Sequence, residues 1–298
     1  MSFLTVHHTT LYRYRVPVGL GEHRMLFRPR ESYDLRLIRT KLTITPEPAE
    51  LRWLHDPFDN SVAVATFEGS TAELRFESIV TLEHFEVSPL EYPLEEYART
   101  YPFRYSDEDF PNLGCALQRH YPGDCVSKWA LQFLDPAEST STMKMLGAMN
   151  RGIQEKFTYT RRTEKGVQTP EQTLKSGRGS CRDFAVLMME AARSLGVATR
   201  FVSGYIFTPS HPGTTEHGKP AAATTGGGAT HAWMQAYLPG AGWIDFDPTN
   251  SIVGNRNLIR VAVAWAPEHA LPLWGTYDGP ASAFLAMDVT VKVSESAG

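Results

Sequence analysis

The sequence predicts an α+β protein, and three observations predict it. Residues 1 to about 90 run in short β-branched and aromatic stretches, the middle of the chain carries apolar residues at three- and four-residue steps, and a strand hairpin follows.

In the first part, good alternation marks strands at 9–15, 35–39, 51–55, 61–67 and 73–82. Pro46-Glu47-Pro48 and Asp56-Pro57-Phe58-Asp59-Asn60 supply turns between them, a spacing that suggests a β-sandwich-like N-terminal domain over 1–90. Its histidines read as partly exposed strand residues. Residues 88–111 are rich in proline, acid and tyrosine without periodicity, which reads as a surface linker. Linker and short helices, one near 127–134, fill 91–138, and 139–298 forms the second domain. There 139–156 is helical, with Met143, Leu146, Met149, Ile153 and Phe157 along a core-facing side.

From Cys181, the residues Phe184, Leu187, Met188, Ala191 and Leu195 trace one face of an amphipathic helix that stops at Gly196. A strand spans 197–207, and the glycine- and threonine-rich loop 208–230 reads either as a lid or as an insertion without a role. The hairpin then joins 231–237 to 243–249 through Leu238-Pro239-Gly240-Ala241-Gly242. Stretches 258–265 and 284–293 are expected to complete that sheet.

Chemistry concentrates at Gly177-Arg178-Gly179-Ser180-Cys181-Arg182-Asp183. Ser180 and Asp183 form a capping-box pattern, so Cys181 stands at the first helical position, where the helix dipole favours a thiolate. Period-two alternation puts His231, Trp233, Gln235 and Tyr237 on one face of the first hairpin strand, and Trp243, Asp245 and Asp247 on one face of the second. Either plausible register brings Asp247 opposite His231 or one diagonal step from it. A thiol nucleophile needs a base, and the base needs a partner to fix its tautomer. Cys181, His231 and Asp247 are the candidates for those parts.

Composition bounds the rest. The 298 residues are 42% hydrophobic and 21% charged, ample for two domains. A formal charge of −4 without basic–aromatic runs argues against a nucleic-acid partner, and no stretch approaches membrane-spanning length. Cys115, Cys125 and Cys181 are an odd set in a long chain, which makes a cytoplasmic, reducing location the default. Cys115, His120 and Cys125 lack the pairwise knuckle and fourth ligand of a zinc site, so no metal is expected.

Through Gly179-Ser180-Cys181-Arg182-Asp183-Phe184-Ala185, His231-Ala232-Trp233 and Gly242-Trp243-Ile244-Asp245-Phe246-Asp247-Pro248-Thr249, residues 140–255 resemble the transglutaminase-like superfamily of cysteine enzymes. The strand-rich start is similar to the N-terminal β-domain of bacterial members. The resemblance implies a papain-like core with Cys181 as nucleophile, His231 as base and Asp247 as orienting acid, working without a cofactor on a peptide or protein substrate. Animal cross-linking members carry Trp where this chain has Arg182, and no calcium-site pattern occurs here, which favours a peptidase or amidase. A protein-glutamine transglutaminase, an acyltransferase and a non-catalytic binding module are the alternatives. The Cys181 amide and the Tyr159 hydroxyl are the candidate oxyanion donors.

Overall fold

A computed structural model of the chain describes residues 2–87, 92–136, 139–162, 166–208 and 225–295. Most of the candidate lid, and residues 88–91 of the linker, lie outside that set.

The first sheet holds β1 (Ser2–Met25), β2 (Leu35–Thr45), β3 (Glu50–His55), β4 (Ser61–Thr66) and β5 (Ser70–His84), in the order β2-β5-β1-β4-β3. Leu4, Val6, His8 and Thr10 of β1 are all buried on one face, as a period of two requires. Between Arg13 and Val18 the register shifts; β1 pairs with β5 on both sides of the shift and reaches β4 at its far end. Such an irregularity bends a strand. One continuous sheet therefore curls around Tyr14, Met25, Phe27, Leu74 and Phe76, giving the layering that the sequence suggested as a sandwich. The histidine expectation needs correction: His8, His23 and His84 are buried. Each has a hydrogen-bond partner, and burial together with neighbouring His7 lowers the His8 pKa to about 4, so a neutral ring bonds Tyr205 and Thr10.

Next come β6 (Thr100–Tyr101), α1 (Phe110–Leu117), α2 (Asp124–Leu131), β7 (Thr140–Ser141) and α3 (Thr142–Lys156). The described part of the supposed linker is strapped down. Tyr105 Oη donates to the Tyr237 carbonyl at 2.8 Å and accepts from Ala198 N–H at 2.9 Å.

The remaining elements are β8 (Thr158–Tyr159), α4 (Pro170–Ser176), β9 (Arg178–Gly179), α5 (Cys181–Ser194), β10 (Thr199–Ile206), β11 (His231–Leu238), β12 (Gly242–Asp247), β13 (Ile252–Val253), β14 (Leu258–Ala264), β15 (Leu273–Asp278) and β16 (Phe284–Glu295). The second sheet runs β13-β12-β11-β10-β14, and α5 packs against β10 and β11. Contrary to the one-faced reading, α5 is buried from Asp183 to Arg193. The charges this encloses are satisfied: Arg193 pairs with Glu190 at 3.0 Å and donates to the carbonyls of Ala116, Thr199 and Trp265.

A second correction concerns the C-terminus. β14 completes the second sheet, but β15 and β16 cross back and pair antiparallel with β1 of the first. Alternation cannot distinguish one sheet edge from another, and the long β1 offers both halves of its length for pairing. The two sheets are joined by buried polar bonds: His8 to Tyr205 at 2.9 Å, Asn60 to both backbone groups of Val263, and Arg260 to Asp34. No helix among the described residues is long and apolar enough to cross a membrane.

Candidate active site

Cys181 is the first residue of α5, and the turn before it is tightly built. Asp183 accepts from Ser180 N–H and Ser180 Oγ–H, both at 2.8 Å, and from Arg162 and Gln168 N–H at 2.7 Å. Gly179 lets β9 pass close, since a Cβ there would stand 2.9 Å from Asp183 Cβ. The amide of Cys181 belongs to the helix's first turn and has no intrahelical acceptor, so it can serve a developing oxyanion. Parallel pairing of β8 with β9 sets Tyr159 beside Gly179, two residues before the thiol. Burial first, and then the Cys181 charge, raise the Tyr159 pKa and keep its hydroxyl a donor at neutral pH.

Across the groove, β11 and β12 pair with Tyr237 opposite Trp243 and Met234 opposite Phe246. That register puts Asp247 one diagonal step from His231, and His231 Nε2 meets Asp247 Oδ2 at 2.8 Å with both side chains fully buried. Asp245, on the same face, is engaged elsewhere: it accepts from Trp233 Nε1 at 2.6 Å and from Arg260 at 3.1 Å. Trp233 in turn stacks on the His231 ring, with centroids 5.9 Å apart.

Burial opposes charge on His231, but Asp247, through its charge and hydrogen bond, together with Cys181, outweighs it and raises the pKa to about 10. Asp247 lies below the usual carboxylate range despite its burial, because His231, Asn250 and the Thr249 amide all favour the anion. The ring's other nitrogen, Nδ1, has no hydrogen bond, although the Cys181 thiol is near enough to help hold the ring's proton. This is the loose contact an unliganded thiol–imidazole pair shows. Gly226, at φ +91°, lies over Nδ1, and a Cβ there would stand 2.9 Å from it.

Asn250 escaped the sequence reading. Its Nδ2 donates to Asp247 Oδ2 at 2.8 Å, and its amide makes two bonds to the backbone of Thr225 at the near end of the Gly226 segment. The signal available was its place in the Asp-Pro-Thr-Asn turn, where short polar side chains commonly bond nearby backbone. Cys115 is exposed, and Cys125 and His120 line a separate recess of about 390 Å³ with Tyr121, Thr169 and Glu171.

Two expected results follow. His231→Ala should slow iodoacetamide labelling of Cys181 at neutral pH by about tenfold or more, leaving Cys115 unchanged, because the imidazole that can take the thiol's proton is gone. Equal Cys181 rates in both proteins would deny the pairing. The second concerns pH. His231 is raised from 6.5 to about 10, so its contribution to stability is full below 6.5 and lost as pH rises through about 10. Asp247 is lowered from 3.8, so its contribution is full above 3.8 and lost as pH falls through its lower native value. The melting-temperature gap between wild type and Asp247→Asn should be widest between about 4 and 6.5 and narrow toward pH 10. A gap independent of pH would show that the pair contributes nothing through its charges.

Residues 129–248 match the transglutaminase-like superfamily, and residues 4–83 match the bacterial transglutaminase-like N-terminal region. An uncharacterized protein of Mycobacterium leprae is 32% identical over 161 residues, which are 54% of this chain and 53% of that relative, so the match spans about half of its length. An uncharacterized Mycobacterium tuberculosis protein is 27% identical over 275 residues, 86% of this chain and 81% of its own. A solved structure from Cytophaga hutchinsonii, described as a candidate cysteine protease, shares the fold with a TM-score of 0.69 at 18% identity, over 99% of this chain and 90% of that one.

Proposed function

With a core that belongs to the transglutaminase-like superfamily behind a bacterial transglutaminase-like N-terminal region, we propose that this chain is a cysteine-dependent acyl-transfer enzyme acting on peptide or isopeptide amides, hydrolytic in its second half. The observation that carries this reading is the buried His231 ring, bonded to Asp247 through Nε2 and left unpartnered at Nδ1 beside the helix that begins with Cys181.

The Cys181 thiolate attacks the amide carbonyl, forming a C–S bond. The oxyanion is held by the Cys181 amide and the Tyr159 hydroxyl. On collapse the C–N bond breaks, and the amine leaves with the proton from His231 Nδ1. Neutral His231 then takes a proton from water, whose oxygen attacks the thioester. The C–S bond breaks, and a carboxylate and the thiol are released. Throughout, Asp247 holds the ring in place and offsets its positive charge. The same proposal places the chain in a reducing compartment such as the cytoplasm, where its three free thiols stay reduced.

Incubation with a peptide library, followed by mass spectrometry, tests this. Hydrolysed products together with a thioester on Cys181, both absent from Cys181→Ala, are expected. Cleavage that survives Cys181→Ala would defeat the proposal, and amine adducts in place of acids would move it to transfer.

A further inference from the structure

Arg161, Arg162 and Arg182 gather at the start of α5 in a chain of formal charge −4. They are used differently. Arg162 turns inward and pairs with Asp183 at 2.7 Å. The β8 ladder continues through the bond from Thr160 N–H to the Gly179 carbonyl at 2.8 Å, so the extended run reaches Thr160. An extended run through Thr160 sets Tyr159 and Arg161 on one face. Arg182 follows the nucleophile directly, and its Nη2 reaches the Arg162 carbonyl at 3.5 Å, which turns the guanidinium back over that same stretch. Tyr159 stands beside Gly179, two residues before the thiol, so Arg161, two residues beyond Tyr159, and Arg182, directly after Cys181, flank the same mouth, and both cations act on the half-buried Tyr159 hydroxyl.

Among the described residues Arg161 and Arg182 form no ion pair, and the described carboxylates of this region are occupied, Asp183 by Ser180, Arg162 and Gln168, and Asp247 by His231, Asn250 and Thr249. The positive end of α5 adds to the same field. At the same mouth the buried Nδ1 of His231 is unpartnered. A guanidinium pairs with a carboxylate through two parallel hydrogen bonds, which neither water nor a neutral amide reproduces.

We propose that Arg161 and Arg182 form a carboxylate-binding subsite beside Cys181, so that the scissile amide lies next to an acidic side chain or a free terminal carboxylate of the peptide. This rests on the acyl-transfer reading above and names its substrate class. Arg182, at the position where the cross-linking relatives carry Trp, becomes a specificity residue.

The test compares peptides carrying Glu or Gln at each position flanking the amide, with the C-terminus free or amidated. For the full chain, kcat/KM should favour the carboxylate-bearing peptide by about tenfold or more, the size of a charge-assisted hydrogen bond. The preference should fall toward one in Arg161→Gln/Arg182→Gln, survive in part in Arg182→Lys, and persist in Arg36→Gln on the first sheet. A preference that survives amidation assigns a side-chain carboxylate, and one that amidation removes assigns the terminus. A wild-type ratio near one, or a ratio kept by the double variant, overturns the subsite. Fluorescence anisotropy of labelled Glu and Gln peptides on Cys181→Ala reads binding without turnover. Selective binding lost in the double variant on that background upholds the subsite even where no peptide is cleaved, an outcome that would sink the acyl-transfer reading alone.

Discussion

Asp247→Asn should lower turnover by about 10⁴-fold, whereas Asp245→Asn, two residues away on the same strand face, should lower it by about tenfold at most. The contrast follows from what each carboxylate holds. Asp247 takes His231 and Asn250 on Oδ2 and the Thr249 amide on Oδ1, donors on both oxygens. An asparagine there must aim its own NH₂ at one of them and removes the anion that keeps His231 protonated. The ring then loses its fixed tautomer, and with it the proton that expels the amine. Asp245→Asn can still accept from the Trp233 indole, and Arg260 retains Asp34. The decisive measurement is the rate of Cys181 acylation by p-nitrophenyl acetate or by a cleaved peptide, taken for both variants. A larger loss in Asp245→Asn would reassign the acid.

That contrast was partly legible in the chain itself, and the reason is periodicity. A period of two in 231–237 and 243–249 is enough to put a histidine and two aspartates on one face, and the structure's register puts Asp247 diagonal to His231. Likewise, Ser180 and Asp183 around Cys181 mark a helix start, which is where the structure has it. What separates the two aspartates is not local. Asp245 is drawn off by Arg260 and Trp233, and Arg260 by Asp34, which lies 226 positions earlier. No periodicity reports a pairing over that separation. The same blindness explains β16, whose alternation was clear but whose partner strand was not. It explains α5 too: an apolar stripe shows which face is buried, but it is silent on Glu190 and Arg193, whose partners come from the carbonyls and amides of other segments.

Arg260→Met should destabilise the protein by about 3–5 kcal/mol. Its guanidinium is 12% exposed and meets Asp34 at 2.5 and 2.8 Å and Asp245 at 3.1 Å, while those carboxylates are themselves only 4% and 3% exposed. Burial opposes charge on Arg260 and on Asp34. Yet Arg260 holds its proton above the ordinary arginine range because Asp245 and Asp34 outweigh that penalty, and Asp34 lies below the usual carboxylate range because Arg260 does the same for it. Methionine fills similar volume but leaves two buried carboxylates facing one another. Relief then comes from protonating one, so Asp34 in the variant would titrate above its unfolded value. A raised native pKa adds stability toward low pH, and the gap between wild type and Arg260→Met should narrow as pH falls from 7 to about 5. Arg260→Lys keeps the charge without the fork and should fall between the two. Because Asp34 lies on the connection leaving β1 while Arg260 and Asp245 lie on β14 and β12, the two bonds to Asp34 that are lost tie the two sheets together, and the one to Asp245 lies within the second. Asp245 also orients Trp233, whose ring stacks on His231. Denaturant unfolding at pH 7 and pH 5, with p-nitrophenyl acetate acylation measured on the same samples, checks both consequences. A loss under about 1 kcal/mol at pH 7 would mean that the buried triad adds no more than an exposed pair.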